Sequence, residues 1–290
     1  MLFTAMMVFI FAGFLAGCTK RLPDDGMVEP TREGGKKMSR LKFRMAAALF
    51  ALGALALSAT VSTEVRAQAP GVDPAATKIL KRMTDYVGSL KQFSVHTQNT
   101  LEDLLDSGQR VDLDVSASVI ISRPNRLRAE RKGDVISQTF YYNGKTLTLY
   151  NPSDKVYATE PAPGTIEGTL DYARESLGLI VPVADLVYRN AYSLLMQEVT
   201  LAKVVGKAVI GGVKCDHLLF SRPGVDFQVW VADTGKPLPY KYVVTDTGTP
   251  ARLSVVTVMS KWNVTPAVAD AQFTFVPPQG AKKITFMPLK

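Results

Sequence analysis

"RVDLDVSASVIIS" (residues 110–122) alternates apolar and polar side chains along its length. Val111, Leu113, Val115, Ala117, Val119 and Ile121 fall on one side; Asp112, Asp114, Ser116 and Ser118 fall on the other. A period of two sends successive side chains to opposite faces of a strand. One dry face and one wet face is the habit of antiparallel sheets.

The same period extends in both directions. Upstream, "FSVHTQNTLEDLL" (93–105) sets Phe93, Val95 and Leu101 against Ser94, His96, Gln98 and Glu102. Turn-forming stretches punctuate the chain downstream: "DSGQ" (106–109), "RPN" (123–125), "KGD" (132–134), "NGK" (143–145) and "PSDK" (152–155). Gly, Pro, Asn and Asp at these places supply reverse turns, so a meander of at least six strands is expected between residues 92 and 161. Ahead of it, Asp73-Pro74 reads as an N-cap followed by proline in the first helical position. Ile79, Leu80, Met83, Val87 and Leu90 then come at helical spacing.

Residues 165–199 show helical periodicity interrupted by Gly178 and Pro182, which predicts two or three short helices. From Ala202 to Val264 the strand pattern returns, with "GG", "RPG", "DTGKP" and "DTGTP" as turns, and about five more strands are expected. The tail "FTFVPPQGAKKITFMPL" (273–289) is extended and Pro-rich. A sheet of about eleven strands curls, and its apolar face needs cover that only the helices can provide. The expected architecture is therefore α+β: a strongly curved antiparallel sheet, a half-open barrel, wrapped around the N-terminal helix and the central helices.

The N-terminal region carries two leader-like segments. "MSRLKFRMAAALFALGALALS" (38–58) runs from basic to apolar, and small residues come after it, the order of a secretory signal peptide. Cleavage is expected before Gln68. Residues 1–37 end their own apolar run in "LAGC" (15–18), like a lipoprotein signal with Cys18 as the lipidated residue, but no Lys or Arg precedes that run. "EGGKK" (33–37) requires purine-rich codons just ahead of Met38, as an in-frame ribosome-binding site would. Residues 1–37 are thus read as a start-site artefact, 38–67 as a signal peptide, and 68–290 as one domain. Lipid anchoring through Cys18 is the alternative. Either way the chain is exported, with a periplasmic destination.

Residues 1–67 hold nine of the 34 Lys/Arg and five of the 26 Asp/Glu, which leaves 25 and 21, a net charge of +4 in place of +8. Basicity that resides in a leader is no argument for nucleic acid as a partner. Cys215 alone remains after cleavage, so no internal disulfide is available.

"GGVKCDHLLFSRPGVDFQVWVADTGKPLPYKYVVT" (211–245) and "FTFVPPQGAKKI" (273–284), set behind a helix and a six-strand meander, resemble an uncharacterised family of predicted periplasmic proteins related to the LolA/LolB lipoprotein-localisation superfamily. The resemblance spans residues 74–290. It implies a LolA-like fold and a carrier or sensor, not an enzyme, that holds a lipid, an acyl chain or a lipoprotein between sheet and helices. No cofactor and no catalytic residue come with it. A non-enzymatic scaffolding module with a filled core, docking another envelope protein, is the rival reading. A monomer with peripheral membrane contact is expected.

Strand positions expected to face the helices supply the candidate cavity lining: Val115, Val119, Tyr141, Leu147, Leu149, Phe227, Val229, Tyr240, Tyr242, Val255 and Met259. Tyr172, Leu177 and Leu179 are the lid candidates. Cys215 and His217, two apart on a strand, share a face and form the only nucleophile-like pair, read as a buried thiol and a hydrogen-bonded imidazole. Arg123, Arg126, Arg128, Arg131 and Lys132 form a basic cluster read as a solvated strand face, with anionic lipid as the functional alternative. No HExxH, GxSxG or phosphate loop occurs.

Overall fold

The computed structural model describes residues 71–134, 136–179 and 183–286. Both leader segments, Cys18 and Pro182 lie outside the described residues. Helix α1 (Pro74–Ser89) opens as its sequence dictates: Asp73 Oδ1 accepts from Ala75 N at 2.8 Å, and Pro74 occupies the first turn. Its buried stripe is Ala76, Leu80, Met83, Thr84 and Val87. Burial of a side chain the size of Leu or Met contributes about 1.5–3 kcal/mol, far more than helix propensity does.

Six strands come next as a meander: β1 (Gln92–Leu104), β2 (Arg110–Ser122), β3 (Arg126–Gly133), β4 (Ser137–Tyr142), β5 (Thr146–Asn151) and β6 (Val156–Pro161). Helix α2 (Ile166–Leu177) is capped by Thr165, whose Oγ1 accepts from Gly168 N. It ends where Gly178 turns left-handed at φ 62°, a conformation glycine adopts without a Cβ clash. A 3₁₀ turn (Ala184–Leu186) and helix α3 (Ala191–Leu195) complete the central segment. Strands β7 (Leu201–Ile210), β8 (Val213–Arg222), β9 (Val225–Ala232), β10 (Pro239–Asp246) and β11 (Ser254–Asn263) form the second meander, and a two-residue strand β12 (Lys282–Lys283) ends the series.

All of them join one open, curved sheet in the order β12-β6-β5-β4-β3-β2-β1-β11-β10-β9-β8-β7. The two meanders meet because β1 pairs antiparallel with both β2 and β11. Strand β12 was not anticipated; it pairs with β6 in parallel, so the sheet is antiparallel everywhere except at this short edge. The chain reaches that edge by crossing the outer face of the sheet. Arg126 meets Asp270 at 3.4 Å there, and Phe275 enters a cluster of Tyr141, Tyr150 and Tyr157 with ring centroids 4.9–5.4 Å away.

The main core lies on the other face, where α1, α2 and α3 pack against Phe93, Ile121, Phe140, Tyr142, Leu147, Phe220, Phe227 and Met259. Among the described residues no helix is long and apolar enough to cross a membrane.

Candidate functional site

Between the inner face of β1–β3 and the helical segment the packing leaves an apolar cavity of about 50 Å³. Val95 and Thr97 of β1, Val119 of β2, and Leu127 and Ala129 of β3 form its floor, beside Met259 of β11. Its roof is Leu170 of α2 with Val183, Ala184, Leu186 and Val187 around the 3₁₀ turn. Val87, Phe93, Pro239 and Trp262 complete the lining. Phe93 and Trp262 pack with ring centroids 5.6 Å apart, and Trp262 Nε1 donates to Pro239 O at 2.9 Å.

The sequence-derived lining residues divide four ways. Val119 and Met259 line the cavity itself. Leu147, Leu149, Phe227, Val229, Tyr240 and Tyr242 belong to the surrounding core. Val115 and Val255 lie in inner-face rows, Val115 opposite Asn99 and Val255 opposite Leu101, outside that core cluster. Tyr141 departs from the expectation: Phe140 and Tyr142 point inward, and Tyr141 stands on the outer face against Phe275. Tyr172, Leu177 and Leu179 pack against the core, but the roof of the cavity is made by residues that were not selected from the sequence, Leu170 and the 183–187 segment. Helical spacing marks α2 as amphipathic, yet no local signal marks a short 3₁₀ turn as cavity roof.

A guanidinium ties this roof to the sheet. Arg123 Nη1 donates to Glu167 Oε1 at 3.2 Å, Nε donates to Leu90 O at 3.2 Å, and Nη2 donates to Val187 O. Burial lowers the Arg123 pKa, and the Glu167 carboxylate works against that shift. A second polar group lies where α2 and the 3₁₀ turn face β8 and β10. Asp171 accepts from Tyr188 Oη at 2.8 Å and from Arg174 Nη2 at 2.6 Å. Burial raises the Asp185 carboxyl there, against the nearby Arg174 and Arg222 charges.

Cys215 and His217 do share the outer face of β8, but their side chains are engaged separately. The thiol points to Val213 O at 3.5 Å, and burial pushes it up to about 11, which disfavours a thiolate. The imidazole stacks on Trp230 at 4.0 Å and 10°, and its Nε2 lies 2.9 Å from Gln228 Oε1. No group of three or more His, Cys, Asp or Glu positioned to hold a metal occurs among the described residues. The basic cluster is dispersed: Arg123 is held under the helices, Arg128 bridges to Glu130 at 3.1 Å on the outer face, and Arg131 points to the inner face.

One open curved sheet lies over a few helices, with an apolar cavity between the layers. The chain belongs to the family described as predicted periplasmic protein (DUF2092), whose model matches residues 76–287. No curated protein matches the sequence. Among solved structures, an uncharacterized conserved protein from Thermus thermophilus superimposes with a TM-score of 0.44 at 11% identity, covering 73% of this chain and 99% of that one. The Mycobacterium tuberculosis lipoprotein LppX gives 0.39 at 19% identity, with 68% and 100% covered. A LolA superfamily protein from Nitrosomonas europaea gives 0.34 at 13% identity, with 69% and 97% covered.

Proposed function

We propose that the protein is a periplasmic carrier or sensor that takes the acyl chain of a lipid or lipoprotein between its curved sheet and its helices. The observation that carries this reading is the apolar cavity under Leu170, Ala184 and Val187. At about 50 Å³ it is roughly a third of the 150 Å³ that accommodates benzene in a dry cavity. Ligand entry therefore requires α2 and the 3₁₀ turn to move off the sheet. Each methylene then buried contributes about 0.8 kcal/mol with little directional demand. Val119 and Met259 would meet the chain first, and Leu147, Leu149, Phe227, Val229, Tyr240 and Tyr242 as the layers part.

Lipid extraction of natively purified protein followed by mass spectrometry, together with displacement of a fluorescent fatty acid, tests this. Uptake in the wild-type chain and its loss in Ala129→Trp, which fills the floor, are the expected results. A protein that releases no lipid and takes up no probe is instead the scaffolding module with a filled core, a reading favoured by the small resting volume. We further infer export through residues 38–67; a mature N-terminus at Gln68 by mass spectrometry supports it, and a diacylated Cys18 overturns it.

A further inference from the structure

The inner face of the sheet is chemically polarised along β3. Met259, Thr97, Ala117, Arg131 and Gln138 form one cross-strand row over β11, β1, β2, β3 and β4. Two members of that row, Thr97 and Met259, line the cavity. Ala129, two residues before Arg131 and so on the same face of β3, lines it too. The row at the other limit contains Phe93, Ile121 and Leu127, about 13 Å away for four residues of strand. There the lining is entirely apolar, with Phe93 packed on Trp262. At the Arg131 end the face turns polar. Arg131 Nη2 donates to Gln138 Oε1 at 2.7 Å, and Thr97, Asn99 and Thr257 join in hydrogen bonds of 2.8–3.0 Å.

We propose that the ligand is an anionic single-chain amphiphile whose carboxylate or phosphate is held by Arg131 beside Gln138, with the chain running along β3 toward Phe93 and Trp262. This deepens the carrier reading above and rests on it. A guanidinium presents N–H donors in a planar fork that matches both acid groups. Sites for small ligands are mostly apolar, with a few polar groups that fix orientation, and a cation on the same strand face, two residues beyond the lining residue Ala129, would orient a chain head to tail. Burial lowers the Arg131 pKa only to about 10, so the side chain is cationic at neutral pH. A wholly neutral lipid would gain nothing from a charge held on this face.

The test is competition against a neutral fluorescent probe in the full chain, with palmitate, hexadecyl phosphate and hexadecanol as ligands of matched chain length. In the wild type, at least one acid is expected to displace the probe at about tenfold lower concentration than hexadecanol. The better of the two acids identifies the head as carboxylate or phosphate. Arg131→Gln should abolish that preference and leave hexadecanol unchanged; Arg131→Lys should retain part of it. Equal potency of acids and alcohol in the wild type overturns the Arg131 assignment and leaves the cavity reading intact. So does a preference that survives in Arg131→Gln. Failure of all three ligands to displace the probe overturns both.

Discussion

Arg123 donates to Glu167 across 3.2 Å and in doing so joins the end of β2 to the first turn of α2. Its side chain is 3% exposed, and it also holds Leu90 O, just past α1, and Val187 O, in the cavity roof. One residue therefore binds three separate segments of the helical layer to the sheet.

Replacement of Arg123 by Met is expected to cost about 2–3 kcal/mol, because it removes the buried donor that Glu167 and two carbonyls share. The urea midpoint of unfolding measures it. Amide exchange in the described roof residues 183–187 should quicken more than exchange in β8 and β9. A uniform change across the protein would mean that Arg123 stabilises without fastening the roof.

Phe93 is 1% exposed and lines one end of the cavity. Phe93→Ala should lose about 3–5 kcal/mol through lost burial and added void, read from denaturant unfolding. Phe93→Leu, a milder change in shape, should cost about 1 kcal/mol and raise uptake of a bulky probe by enlarging the same end. Unchanged uptake in the Leu variant would separate this cavity from ligand binding.

Cys215 supplies a pH dependence. Its thiol ordinarily ionises near 9.0, and burial raises it to about 11 in the folded chain. A folded pKa above the unfolded one means a contribution present below pH 9 and lost as pH rises toward 11. In a Cys18→Ser background, stability should fall across that window, and Cys215→Ala should fall less. The native thiol should resist a disulfide reagent at pH 8 and react once urea is added; prompt labelling of the folded protein would contradict its burial.

Phe275 sits among Tyr141, Tyr150 and Tyr157, and the segment beyond it supplies β12. Aromatic pairs of this kind contribute about 0.5–1.5 kcal/mol beyond buried area. Phe275→Ala should free residues 276–286 for limited proteolysis while the meander strands remain protected. Equal cleavage of wild type and variant would show that the edge pairing alone holds the strap.

Strand periodicity was legible because it follows from backbone geometry: β1 and β2 pair residue by residue from Gln92–Ser122 to Leu104–Arg110, as their alternation required. The first helix cap was legible for the same reason: Asp73 satisfies an N–H that the helix cannot. Trp262 was harder to place. Lys261 takes a positive φ of 52° just before it, so counting by twos along β11 fails at the residue that completes the cavity. Arg131, read from the sequence as one of five solvated basic residues, faces inward because β3 alternates about Ala129.

Local sequence determined that this chain makes strands, where they turn and which segments become helices, since those choices depend on neighbours a few residues apart. It did not determine which face of β4 is the inner one. "TFYY" (139–142) offers aromatic side chains to both faces, and burial is available on both, under the helices for Phe140 and Tyr142 and under the C-terminal strap for Tyr141. That assignment, and the small gap over Ala129, depend on how distant segments pack across the sheet, and only the tertiary structure decided them.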